Sequence, residues 1–175
     1  MNRYFSLILI FIVCHIAFEN NSAAHDEEYK AVAPILSSAE NFFMSLKDGE
    51  YDAAWDLLSD NSRKVIIGDV YDAGRKLNKD INREDIIMDF NGRGRMFTNY
   101  WNSFRRSFDT DMVLKHSEWE MGRIGDDEAE IIIRHKTSGE PTILRMRKEE
   151  ESWKVGLTET FWQRRTLNLL HLIFQ

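Results

Sequence analysis

From Pro34 onward, apolar residues return every three or four positions: Ile35, Leu36, Ala39, Phe42, Phe43 and Leu46, up to Lys47-Asp48-Gly49. That spacing draws one apolar stripe along a helix, with Pro34 in the first turn, where its missing N–H costs nothing, and Gly49 as the stop. Tyr51, Ala54, Trp55, Leu57 and Leu58 predict a second, shorter helix before Ser59-Asp60-Asn61. A third, capped by Asn61 or Ser62, runs through Val65, Ile66, Val70 and Tyr71 and stops near Gly74. Between Asp80 and Asp109 the pattern gives one helical piece with Ile86, Ile87 and Phe90. A break follows at Asn91-Gly92-Arg93-Gly94, and then an aromatic helix from Met96 to Phe108.

After Asp109 the period shortens to two. Met112, Leu114 and His116 alternate with Val113, Lys115 and Ser117, and Trp119 and Met121 continue a strand that ends at Gly125-Asp126-Asp127. Ala129, Ile131, Ile133 and His135 share one face of the next strand. Thr137-Ser138-Gly139-Glu140 turns the chain, and Leu144 and Met146 then stand opposite Ile143, Arg145 and Arg147. A last turn at Glu149-Glu150-Glu151 leads to Trp153, Val155 and Leu157. Short turns between consecutive strands imply an antiparallel meander, and its apolar face needs a cover that the preceding helices supply. The expected class is α+β.

The N-terminus adds an address. One positive charge at Arg3 precedes an apolar run from Tyr4 to Phe18, shorter than the ~20 residues that span a bilayer. Ser22-Ala23-Ala24 offers small residues for cleavage after Ala24. Residues 1–24 are therefore expected to be a signal peptide and residues 25–175 a single domain, periplasmic or secreted; an uncleaved membrane anchor is the alternative. The one cysteine, Cys14, falls within the leader, so the mature chain has no disulfide. Removing Arg3 and Glu19 leaves the net charge at −6. An acidic balance disfavours nucleic acid as a partner. Arg93, Arg95, Arg105 and Arg106, with Arg75 and Lys76, form either a local positive rim or an ordinary solvated helix face.

The segment from Phe42-Phe43-Met44-Ser45-Leu46-Lys47-Asp48-Gly49 through Tyr51-Asp52-Ala53-Ala54-Trp55, with Trp153-Lys154-Val155-Gly156 near the end, resembles the nuclear-transport-factor-2-like superfamily. The likeness is closest to its small exported bacterial members of unknown function. It implies a strongly curved meander wrapped around the helices as a cone-shaped half-barrel whose mouth holds a small apolar ligand. Some members are isomerases, dehydratases or hydrolases, and others only bind or dimerise. No catalytic motif of the family maps onto this chain, and fold alone does not assign function.

Two function classes follow. One is a non-catalytic module for a small ligand or a protein partner, with Trp55, Tyr71, Tyr100, Trp101, His116, Trp119, His135 and Trp153 as candidate pocket residues. The other is an enzyme in which His116 or His135 meets Asp69, Asp85 or Asp89 as an acid and base pair. No ligand spacing for zinc or iron stands out and no cofactor is implied. The tail Leu167–Phe174 is apolar and too short to span a membrane. It is expected to cover its own domain, a second subunit in a homodimer, or a membrane interface.

Overall fold

The computed structural model describes residues 29–137 and 140–161. The expected leader, the expected cleavage site after Ala24 and the tail Leu167–Phe174 lie outside the described residues. The chain divides into two compact units, one up to Pro34 and one from Ile35. In the first, residues 29–34 are helical, so helical residues already precede Pro34 and the first-turn expectation is corrected.

The second unit opens with α1, residues 35–48, which turns Ile35, Ala39, Phe42, Phe43 and Leu46 fully inward. Gly49 ends it with φ +79°. Glu50 N–H reaches Ser45 O (2.8 Å) and Gly49 N–H reaches Leu46 O (3.3 Å), the paired bonds of a glycine-terminated helix. Then come α2 (Tyr51–Asp56), α3 (Asp60–Lys76), α4 (Arg83–Asn91), α5 (Arg95–Ser107) and α6 (Thr110–Lys115). Ser59, not Asn61 or Ser62, caps α3 by accepting from Ser62 N–H, and the helix runs two residues beyond Gly74.

The region after Asp109 departs from expectation. Asp109 accepts from Met112 N–H and starts α6, so the alternation of Met112, Leu114 and His116 belongs to one helical turn and a half. The sheet begins at Ser117. Strands β1 (Ser117–Ile124), β2 (Glu128–His135), β3 (Thr142–Glu149) and β4 (Ser152–Gly156) pair antiparallel in the order β1-β2-β3-β4, and the sheet is not closed. The architecture is α+β, as the change of period predicts. Leu157 is not the last residue of a strand: it opens a short helix, α7 (Leu157–Phe161).

Along β2 and β3 the buried residues are Ala129, Ile131, Ile133, Leu144 and Met146. Their neighbours carry a ladder of opposite charges, with Glu130 paired in register with Arg145, Glu128 with Arg147 and Glu118 with Arg134. At the β4 edge, Ser59 N–H donates to Val155 O (3.0 Å) and Val155 N–H to Leu57 O (2.8 Å). The α2–α3 link thus occupies backbone groups that would otherwise be open to a foreign strand.

Candidate functional site

Three of the eight candidate pocket residues, Trp55, Tyr100 and Trp101, are brought into one buried cluster. Trp101 is fully buried at the centre of α5. Its ring lies 5.2 Å from Tyr100, 5.6 Å from Phe104, 6.2 Å from Tyr51, 6.3 Å from Trp55 and 6.4 Å from both Phe42 and Phe97, centroid to centroid. Most of these contacts are edge-to-face, which suits the ring quadrupole. Trp55 also meets Phe90 (5.3 Å) and Phe97 (5.8 Å). Two buried polar atoms in this cluster, Tyr100 Oη and Trp101 Nε1, have no hydrogen-bond partner among the described residues. Burial pushes the Tyr100 phenol well above its usual range, with the charge of Asp69 adding to the shift, so it stays protonated.

The other candidates are scattered. Tyr71 is half-buried with Arg75 over its ring at 5.9 Å. Trp119 packs edge-on against Phe43 (5.8 Å) and donates Nε1–H to Val113 O (3.0 Å). Trp153 is half-buried, and its carbonyl accepts from the Ser38 hydroxyl.

The histidines are corrected. His116 is not an inward strand residue; it ends α6 and is exposed. His135, the last residue of β2, keeps the expected face, but its Nδ1 accepts from Thr137 N–H (3.3 Å) and lies 2.9 Å from the Thr137 hydroxyl. Asp89 accepts from Phe97 N–H (2.9 Å) at the start of α5, and Asp85 is exposed on α4. No contact joins either histidine to Asp85 or Asp89 among the described residues.

Two polar clusters were not legible in the sequence. In the first, Glu159 of α7 accepts from Ser59 Oγ (3.0 Å), Ser62 Oγ (2.6 Å) and Thr158 Oγ1 (3.0 Å), beside the N-terminus of α3. Half-burial pushes this carboxyl up, but the donors, Ser62 foremost, outweigh it and hold the group below its usual range. Ser59 and Ser62 are fully buried. Alongside, Thr160 Oγ1 accepts from Arg145 N–H (2.9 Å) and donates to Gly156 O (2.7 Å), so α7 is tied to both α3 and β3.

The second is an open cleft of about 530 Å³ where the end of α1 faces the α5–α6 junction. Lys47, Asp48, Arg105, Arg106, Phe108 and Asp111 are among its lining. Asp111 receives Lys47 Nζ at 3.0 Å and Lys115 Nζ at 3.2 Å. These ammonium groups, Lys47 first, hold its carboxyl below the usual range, and the same contact raises Lys47. Arg105 Nη1 would lie 3.3 Å from a Cβ at position 49, so the glycine that ends α1 also leaves room for the guanidinium. Arg106 Nη2 reaches Ser103 Oγ at 3.3 Å. Neither guanidinium is paired with a carboxylate among the described residues. The expected rim is thereby divided, because Arg93 is held by Asp56 (2.8 Å) and Asp52 (3.4 Å) and sits over Phe97.

No helix among the described residues is long and apolar enough to cross a membrane. Compared with known proteins, the chain matches no family model, no curated protein and no solved structure.

Proposed function

We propose that this protein is a small exported module that works by recognition at its surface and not by catalysis in its interior. The observation that carries this reading is the packed aromatic interior of the helical layer. Phe42, Trp55, Phe90, Phe97, Trp101 and Phe104 are all buried, with neighbouring ring centroids 5.3 to 6.4 Å apart. An enzyme of this plan needs a titratable pair inside an accessible cavity, and a ligand carrier needs an open apolar one. Here the aromatics are packed against one another, and no hydrogen bond or ion pair joins His116 or His135 to Asp85 or Asp89 among the described residues. The run Tyr4–Phe18 with Ser22-Ala23-Ala24 supports export. Helices followed by a meander, and the Trp153-Lys154-Val155-Gly156 strand, support kinship with nuclear-transport-factor-2-like cones.

The test is entry of a neutral apolar probe. Titration with N-phenylnaphthylamine should give no saturable fluorescence gain on the folded protein. A saturable one-to-one gain that also quenches tryptophan emission would show an open interior and overturn the reading.

A further inference from the structure

We propose that the cleft between Lys47-Asp48 and the α5–α6 junction binds small molecules that carry an oxyanion, a carboxylate or a phosphate, held by Arg105 and Arg106. This deepens the reading of the protein as a binding module and rests on it.

Asp111 is neutralised twice, by Lys47 at 3.0 Å and Lys115 at 3.2 Å. Asp109 spends Oδ1 on Met112 N–H, at 3.0 Å, as the cap of α6. Asp48 is the remaining carboxylate of the lining, and no ion pair joins it to either arginine among the described residues. Lys47 is therefore spoken for, while two adjacent guanidiniums are not. Both are exposed to solvent, so an incoming ligand does not have to break an internal ion pair to reach them.

Guanidinium is the group best suited to the task, because its planar fork meets a carboxylate or phosphate with two parallel charge-assisted hydrogen bonds. Arg105 Nη1 lies beside the end of α1, where a Cβ at position 49 would meet it at 3.3 Å, and Arg106 Nη2 donates to Ser103 Oγ at 3.3 Å, so the two guanidiniums flank the cleft. Beside them Phe108 is half-buried, stacked at 5.2 Å on Phe104 and at 5.8 Å on Phe43. It offers an apolar surface next to the charge. The cleft therefore fits a small organic acid with a compact apolar body better than a bare inorganic ion.

The full-length protein, followed by two-dimensional amide NMR at pH 7 and low salt, is titrated with benzoate, with inorganic phosphate and, separately, with phosphatidylglycerol vesicles. Saturable shifts are expected for benzoate at residues 47–49 and 105–111, with phosphate weaker at the same positions. R105Q/R106Q should weaken benzoate binding at least tenfold, and R134Q on the charged sheet face should leave it unchanged. D48N, which removes the unengaged carboxylate without touching either arginine, should tighten it. No saturable shift with either anion, equal affinity in R105Q/R106Q, or binding to vesicles alone would overturn the proposal. Failure here with the apolar probe still excluded would leave the packed-interior reading standing, whereas probe entry with anion binding intact would overturn only that reading.

Discussion

Replacing Trp101 by alanine removes the ring that six other aromatic rings surround, on a residue with no solvent exposure. A tryptophan buries about 150 to 250 Å², and at about 25 cal/mol per Å² that corresponds to roughly 4 to 6 kcal/mol. Alanine retains part of this and partial collapse recovers more, so a loss of about 3 to 5 kcal/mol is expected. Small domains have about 5 to 15 kcal/mol in total, so W101A should remain folded at 25 °C with a strongly lowered urea midpoint. Trp101→Phe separates ring volume from the indole N–H. Nε1 has no acceptor among the described residues, and losing an unsatisfied donor offsets part of the lost volume, so W101F should cost about 1 kcal/mol or less. Urea titration followed by circular dichroism measures both. A loss under about 1 kcal/mol for W101A, or equal losses for the two variants, would refute the packing argument.

Three further outcomes follow from the polar clusters and the tight turns. Glu159 titrates below its unfolded value, so its contribution is present above about pH 4.3 and is lost as pH falls through the folded pKa; the urea midpoint of E159Q should therefore fall less steeply than that of wild type between pH 5 and 2. Ser59→Ala removes the cap of α3 and one donor to Glu159, and should cost about 1 to 2 kcal/mol by the same titration. Gly156→Ala would place Cβ 2.9 Å from Arg145 O, a backbone atom, and should cost about 1 to 3 kcal/mol; a neutral result would mean that β4 shifts freely.

How far the sequence could be read depends on the range of the interactions involved. The stripe from Ile35 to Leu46, the glycine stop at Gly49 and the alternation of Ala129, Ile131 and Ile133 are local signals repeated often enough to be unambiguous, and the elements formed where they indicate. Met112 to His116 misleads because five residues fit a strand and a turn of helix equally well, and the deciding bond, from Met112 N–H to Asp109, depends on a single carboxylate. Pro34 reads as a helix start because that is where proline is best tolerated, yet helical residues precede it. The site was less legible for a different reason. Glu159 meets Ser59 and Ser62 across about a hundred positions, and the cleft joins Lys47-Asp48 to residues 105–111, so no spacing rule brings either together. The aromatics were visible one by one; that Trp55, Tyr100 and Trp101 are buried against one another is decided by packing.

The proposed recognition at the surface implies that the protein retains no apolar ligand in its interior. Native mass spectrometry of the protein purified from the compartment where it resides decides between a retained and an absent ligand. The expected species are the bare chain or a complex with a polar, anionic or protein partner, without an apolar small molecule. A stoichiometric apolar ligand that survives desalting and is lost on unfolding would contradict the proposed recognition at the surface.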